Sequence, residues 1–321
     1  ALEQMGVEVE QIHYLQDNDS VLRKGKGYGE GALIKFAIQN SALLKQADSF
    51  FKCTGKVYCR NFPEILHMIE QNNIQNIIPQ FIKDYLKNNN WLSQQLINNF
   101  KSKVIGIALK DRGAILPTGH SANAAYWYDG GKWISSTHYM TALPEWVNKY
   151  NDKDVPGKYM SSDWNTLLPI DKYDLSTADD KPYETAIRGE KTVTFPHKLS
   201  AIDAGYKYES FRTTPFANTY TFDFAKTAIE SEGLGKNSVT DFLAVSISST
   251  DYVGHSFGPN SIEIEDTYLR LDKDIENFLI YLDTKVGKGN YTLFLSADHG
   301  AAHVPGFAKE HNIPAGNLSV K

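Results

Sequence analysis

Short apolar runs alternate along the chain with stretches of helical periodicity. Residues 103–109, 241–250 and 291–300 are rich in apolar residues, which is typical of strands covered on both faces. Between the last two runs, a capping-box-like pattern at residues 260–263 begins a helix. The apolar face predicted for that helix contains Ile264, Tyr268, Leu271, Ile275, Phe278, Leu279 and Leu282. A strand, a helix and a strand in this order form a crossover, so the pattern predicts parallel strands.

Two further stretches predict a helix and a hairpin. Residues 218–232 have the spacing of a helix. Residues 123–129 and 132–136 read as two strands that flank a Gly-Gly pair, which favours a tight hairpin turn. The chain as a whole is therefore predicted to be an α/β protein with a mostly parallel central sheet between helices.

Changes in composition divide the chain into two predicted domains. Residues 87–92 are polar and rich in asparagine, which makes them the best candidate boundary. We expect residues 1–92 to form a small α/β segment and residues 93–321 to form the main domain. Within the main domain, residues 145–215 have little periodicity and many Asp, Lys, Tyr and Pro residues, so we predict a loop-rich insertion there.

The N-terminal segment contains a glycine-rich loop at residues 24–31, followed by a predicted helix at residues 32–44. Such a loop can hold a phosphate at a helix N-terminus, but this one matches neither the P-loop nor the dinucleotide motif, and a flexible turn is the other interpretation. Residues 50–58 then predict a strand. Cys53 and Cys59 flank part of it and are interpreted as reduced thiols, with a local disulfide as the alternative.

Composition narrows the class of protein. With 321 residues, 41% hydrophobic and 22% charged, the chain has the balance of a soluble globular protein. A net charge of -5 provides no basic surface, so nucleic acid is not an expected partner. No apolar run is long enough to cross a membrane, and the first residues lack the basic and apolar regions of a signal peptide.

Two Asp/His pairs follow predicted strands. Asp251 and His255 are four residues apart, a spacing that places both side chains on one face of a helical turn. Asp298 and His299 end the last strand, where Gly300 permits a bend. Because parallel strands end at one edge of a sheet, both pairs are expected to converge there. Mixed oxygen and nitrogen ligands suit zinc, whereas a turn with solvated polar residues is the alternative interpretation.

Two cations follow the first strand of the main domain. Lys110 and Arg112 are two residues apart, and together they could bind the anionic oxygens of a phosphate group. A solvated charged turn is the more common fate of such a sequence, but the position at a strand end favours function. His120 and His197 are interpreted as structural hydrogen-bonding residues rather than ligands.

These motifs together resemble the alkaline phosphatase superfamily, in particular the phosphate-irrepressible, PafA-type bacterial alkaline phosphatases, which are close to the nucleotide pyrophosphatases/phosphodiesterases. The resemblance covers roughly residues 93–321. The motifs that carry it are Lys110-Asp111-Arg112-Gly113-Ala114-Ile115-Leu116-Pro117, Asn123-Ala124-Ala125-Tyr126-Trp127, Asp251-Tyr252-Val253-Gly254-His255 and Ala297-Asp298-His299-Gly300.

The resemblance implies an alkaline-phosphatase-like sandwich with two zinc ions. Asp251 and His255 would bind the first ion, Asp298 and His299 the second. Lys110 and Arg112 would bind the phosphoryl oxygens as catalytic and substrate-binding residues. The family also has a zinc-binding Asp and a Thr nucleophile upstream, and a further zinc-binding His downstream; the sequence shows no counterpart of these, so the domain is expected to be truncated at both ends and the nucleophile stays unknown.

The predicted function is zinc-dependent hydrolysis of phosphate monoesters, with a small phosphate ester as partner and a periplasmic or secreted location, as the resemblance implies. One alternative is an inactive fragment that binds phosphate or metal without turnover; another is phosphodiesterase or nucleotide pyrophosphatase chemistry on the same scaffold. Residues 25–31 and 51–56 also give the N-terminal segment a weak resemblance to bacterial polysaccharide glycosyltransferases, although no Asp-x-Asp motif is present.

Overall fold

The structure, a computed structural model, describes residues 49–52, 57–60, 101–295, 297 and 300–316. The expectations for residues 1–48, including the glycine-rich loop, lie outside these ranges, as do Asp298 and His299. The strand predicted at residues 50–58 is instead two strands, β1 (Ser49–Lys52) and β2 (Val57–Arg60), which pair antiparallel. The sequence between them contains Gly55, which favours a reversal of the chain over one continuous strand.

The main domain has alternating strands and helices. In chain order its elements are β3 (Val104–Ala108), α1 (Asp111–Thr118), β4 (Ala124–Asp129), β5 (Lys132–Ile134), α2 (Glu145–Asn151), α3 (Val155–Tyr159), α4 (Ala204–Ser210), α5 (Phe216–Glu232), β6 (Phe242–Ser246), α6 (Ser249–Phe257), α7 (Ile262–Leu282) and α8 (Pro305–Glu310). Three short 3₁₀ turns at residues 170–172, 199–201 and 211–213 interrupt the stretch between α3 and α5.

The central sheet has the strand order β5-β4-β3-β6. β3 pairs parallel with both β4 and β6, and β5 is added antiparallel at one edge. The predicted hairpin is confirmed as β4 and β5, with Gly130 and Gly131 at φ 53° and 91°, the left-handed region that a tight hairpin turn requires. The fold is therefore α/β with a mostly parallel sheet, as the sequence predicts.

Helices cover both faces of this sheet. Alternate β3 residues, Ile105 and Ile107, join the main core with α5 and α7, while Ala108 packs on the opposite face against Ala114 of α1. The main core is aromatic: the ring of Trp133 stacks on that of Phe224 with 4.3 Å between centroids. This two-sided burial explains why β3 and β6 are continuous apolar runs.

Two glycines let α1 lie close to the sheet. A Cβ atom at Gly106 would lie 2.3 Å from the carbonyl oxygen of Ala114, and one at Gly113 would lie 2.9 Å from the Cβ of Ala108. Real side chains do not tolerate contacts this short, so glycine is required for the packing. The first turn of α1, which follows Lys110, is thereby fixed at the end of β3.

The predicted helices at residues 218–232 and from residue 260 are confirmed as α5 and α7. The side chain of Ser261 caps α7 by accepting a hydrogen bond from the Ile264 backbone N–H at 3.2 Å. The predicted apolar face is wrong at Tyr268, which is 56% exposed. The strand predicted at residues 241–250 ends earlier, at Ser246, since Ser249 and Thr250 begin α6.

The strand predicted at residues 291–300 is wrong over the residues that are described. Residues 291–294 have no regular structure, only a single bridge occurs at Leu295, and Leu295 is 54% exposed. The Tyr291 hydroxyl instead donates to the Asp283 carboxylate at 2.7 Å. An apolar run becomes a strand only when a neighbouring strand pairs with it, and no strand of the four-stranded sheet pairs with residues 291–294.

Candidate active site and metal centre

The candidate site lies at the carboxyl ends of the parallel strands β3 and β6, the edge at which open α/β sheets bind ligands. Lys110 is the N-cap residue of α1, two positions after β3. Asp251 and His255 belong to α6, which begins three residues after β6. The parallel pairing of the two strands brings their ends together, although Lys110 and Asp251 are 141 residues apart in sequence.

Three side chains form a continuous polar cluster. The Lys110 ammonium donates to Oδ2 of Asp251, and Nε2 of His255 lies 3.3 Å from Oδ1 of the same carboxylate. The predicted helical spacing of Asp251 and His255 on one face is thus confirmed. The side chains of Lys110, Asp251 and His255 are 18%, 28% and 77% exposed, so the cluster is half-buried on the lysine side and open on the histidine side.

Tyr252 adds an aromatic wall to the cluster. Its ring centroid lies 4.6 Å from Nζ of Lys110, within the range of a cation–π contact. Sequence analysis did not single out this residue. The position of Tyr252 next to Asp251, in a predicted helical turn, was the only local indication of a role. The contact with Lys110 depends on the strand order of the sheet, which brings Lys110 beside that turn.

Arg112 lies in the first turn of α1 and is exposed. Its backbone N–H donates to Oδ1 of Asp111 at 2.7 Å. Among the described residues its guanidinium forms no ion pair, unlike the ammonium of Lys110. The two cations therefore share one strand end but differ in their surroundings: one is held against α6 and the other faces solvent.

The described residues fit part of a metal site. Asp251 and His255 converge with one oxygen and one nitrogen, which is the donor chemistry that zinc accepts. Stable zinc sites use three or four protein ligands, and no group of three or more His, Cys, Asp or Glu that could hold a metal occurs within the described part of the chain. Asp298 and His299, the other predicted ligands, lie outside it.

The C-terminal end of α6 is held by the segment at residues 176–185. The Thr185 backbone N–H donates to the Ser256 carbonyl at 2.7 Å, and the Thr177 N–H donates to the Asn260 carbonyl at 2.8 Å. In addition, Nδ1 of His303 lies 2.9 Å from Oδ1 of Asn260. These contacts fix the helix end that carries His255.

A buried imidazole lies behind α6 rather than in the cluster. His197 is fully buried, with Nδ1 2.9 Å from Glu190 Oε2 and Nε2 3.2 Å from Glu263 Oε1. Burial alone would lower the pKa of His197, but its hydrogen bonds to the two carboxylates outweigh burial and raise the pKa to about 9. This agrees with the structural role predicted for His197. His120 is exposed, and its ring centroid lies 6.5 Å from that of His138.

A family model for type I phosphodiesterases/nucleotide pyrophosphatases matches residues 62–317, which is most of the chain. The chain belongs to this family. Alkaline phosphatase PhoV of Synechococcus elongatus is 58% identical over 229 residues, covering 71% of this chain and 41% of PhoV. A protein of Myroides odoratus named calcium-transporting ATPase is 53% identical over 284 residues, covering 85% of this chain and 50% of that protein.

The solved structures include one that is similar to most of this chain. The crystal structure of wild-type alkaline phosphatase PafA is 52% identical, with a TM-score of 0.68 over 70% of this chain and 44% of PafA. The resemblance that the sequence motifs suggested is thus confirmed, and the fold is that of this phosphatase. The chain spans about half the length, or less, of the relatives it matches.

Two predictions about the N-terminal segment are not confirmed. The family match begins at residue 62, upstream of the domain boundary predicted near residue 92, and that boundary stays a prediction. The relatives found give the glycosyltransferase resemblance no support.

Among the described residues, no helix combines the length and the apolar character needed to cross a membrane.

Proposed function

We propose that this chain is the metal- and phosphate-binding part of a hydrolase that cleaves phosphate monoesters. The observation that carries the proposal is the Lys110–Asp251–His255 cluster at the carboxyl edge of a parallel sheet, in a member of a phosphoric ester hydrolase family. The cluster brings a cation for an anionic substrate next to an oxygen/nitrogen pair suited to a metal ion. Such convergence at one sheet edge is how sites are built on this class of fold.

In the proposed reaction, the chain's own residues bind and orient the phosphoryl group. Lys110 supplies a compact charge from a half-buried position, and Arg112 supplies a planar fork that can contact two oxygens. Asp251 and His255, with Asp298 and His299, would hold two zinc ions. When bound, zinc would stabilise charge on the attacking and leaving oxygens of an in-line displacement. The nucleophile is not assigned to any residue of the chain.

Hydrolysis of p-nitrophenyl phosphate with added zinc tests this function. We expect Lys110→Ala and Arg112→Ala each to lower kcat/KM by roughly 10²-fold, because each removes a positive charge that would stabilise the negative charge on the phosphoryl oxygens in the transition state. Lys158→Ala, which removes an exposed lysine of α3, is the control and should hydrolyse like the wild type. Equal rates in all four proteins would contradict the assignment.

A second candidate is phosphodiester or nucleotide pyrophosphate cleavage, which the description of the matching family favours. The two cations distinguish the candidates, since a monoester presents more charge to Lys110 and Arg112 than a diester does. We expect a higher kcat/KM for p-nitrophenyl phosphate than for bis-p-nitrophenyl phosphate, and a larger effect of Arg112→Ala on the monoester. The reverse preference would assign the diesterase function.

A third outcome is binding without turnover, because no group of three or more His, Cys, Asp or Glu that could hold a metal occurs within the described residues. Calorimetric titration with inorganic phosphate and zinc separates this outcome from no binding at all.

A periplasmic or secreted location in a bacterium and a small phosphate ester as partner belong to the proposal of a phosphate monoester hydrolase. Phosphatase activity confined to the cytoplasmic fraction of the source cells would contradict the location.

A further inference from the structure

The Lys110 ammonium is held from two directions by one turn of α6. Oδ2 of Asp251 accepts its hydrogen bond, and the ring of the next residue, Tyr252, lies 4.6 Å from Nζ. The face of an aromatic ring attracts a cation through its quadrupole, and the attraction is stronger where water is partly excluded. Lys110 meets this condition because its side chain is only 18% exposed.

These two partners are not equivalent in the proposed function. Asp251 is also a candidate metal ligand, and a carboxylate shared with a metal ion binds an ammonium less strongly. The Tyr252 ring is not a metal ligand, so a metal ion does not compete with Lys110 for it. A lysine has four rotatable bonds in its side chain and loses affinity for its ligand unless something restricts it.

We infer that Tyr252 is a positioning residue that holds the Lys110 ammonium at the phosphate-binding edge of the site through a cation–π contact. This inference rests on the proposed function for its catalytic consequence, but the contact itself can be measured without activity. The ring is the active part of the residue, so Tyr252→Phe should preserve the effect and Tyr252→Leu should remove it. Tyr268, an exposed tyrosine of the neighbouring helix α7, provides the control substitution Tyr268→Leu.

The first test is NMR of the protein with ¹³C-methylated lysines. The Lys110 methyl signal, assigned by its disappearance in Lys110→Arg, should be shifted upfield by the ring current of Tyr252. We expect this shift to remain in Tyr252→Phe and Tyr268→Leu and to vanish in Tyr252→Leu. An unshifted Lys110 signal in the wild type, or a shift that persists in Tyr252→Leu, would overturn the inference whether or not the protein hydrolyses phosphate esters.

The second test uses kinetics in a double-mutant cycle. Tyr252→Leu should lower kcat/KM for p-nitrophenyl phosphate between about twofold and about thirtyfold, as expected for loss of one cation–π contact. In the Lys110→Ala background the same substitution should have no further effect, because its action passes through Lys110. An equal loss in both backgrounds would show that Tyr252 acts in another way. If the wild type shows no hydrolysis, the proposed function fails while the NMR test still decides the contact.

Discussion

Lys110 and Asp251 form an ion pair that joins the end of β3 to the first turn of α6. The pair connects the two strand ends at which the candidate site is built. It also sets a competition, because a carboxylate that binds an ammonium has to weaken that contact in order to bind a metal ion.

This competition predicts that Lys110 lowers the affinity of the site for metal. Lys110→Gln removes the charge and should tighten zinc binding by about fivefold, the equivalent of an ion pair of about 1 kcal/mol in a partly exposed position. Competition titration with a fluorescent zinc chelator measures the change. The control is Lys181→Gln, which breaks the ion pair with Glu310 and should leave zinc affinity unchanged. Weaker zinc binding in Lys110→Gln would show that the lysine supports the metal rather than competing with it.

We expect the folded protein to lose stability at alkaline pH because of the buried His197. Its pKa is raised to about 9, from an ordinary value of 6.5, so the folded protein holds the proton more tightly than the unfolded chain. The resulting stabilisation is full below pH 6.5 and is lost as pH rises through about 9. We expect the free energy of unfolding to fall by an amount on the order of a few kcal/mol over this window.

Urea denaturation at pH 6.5 and pH 9.5 measures this effect. Glu190→Gln removes one of the two carboxylates that raise the pKa of His197 and should flatten the pH dependence. His311→Gln, at an exposed histidine of the C-terminal region, should leave the dependence as in the wild type. A stability that is constant or increasing between these pH values would contradict the charged state of His197.

The close packing of α1 on β3 at Gly106 should affect both the stability of the protein and its affinity for phosphate. The Cβ introduced by Gly106→Ala would collide with the Ala114 carbonyl and push α1 away from β3. We expect this overpacking to destabilise the protein by about 1–3 kcal/mol and to reduce phosphate affinity, since α1 carries Arg112. Chemical denaturation and phosphate titration check the two effects. Gly205→Ala is the matched control, because a Cβ there meets no atom within 4 Å. Equal stability of the two variants would contradict the close packing of α1.

The buried carboxylate of Asp266 should contribute strongly to the stability of the folded protein. It is fully buried on α7 and accepts hydrogen bonds from Trp164 Nε1, the Tyr173 hydroxyl and Arg270 Nε at 2.5–2.7 Å. Asp266→Ala leaves these donors without an acceptor and should cost about 3–5 kcal/mol of folding free energy. Thermal unfolding checks this value, with Asp272→Ala on an exposed position of the same helix as the control. A loss below about 1 kcal/mol would mean that water replaces the carboxylate without difficulty.

The elements that could be predicted from the sequence are those determined by residues close together along the chain. The Gly-Gly hairpin, the Ser261 cap of α7 and the four-residue spacing of Asp251 and His255 each follow from neighbouring residues. The last apolar run shows the limit of this reasoning, because residues 291–294 have the composition of a strand but no strand partner in the sheet.

The contacts of the candidate site could be predicted only in part. Motifs indicated Lys110 and Asp251 separately, and the sheet edge indicated that they would be near each other. The contact of Lys110 with Tyr252 depends on β3 and β6 being adjacent, which is information about pairing over more than a hundred residues. Local periodicity contains no such information.

The metal content of the purified chain tests the central claim most directly. After equilibration with zinc and dialysis against a weak chelator, elemental analysis should find close to two zinc ions per wild-type chain, and fewer in Asp251→Ala and in His255→Ala. Lys158→Ala should retain the wild-type content. Near-zero zinc in the wild type, or an unchanged content in both ligand variants, would contradict the proposal that Asp251 and His255 belong to a metal centre.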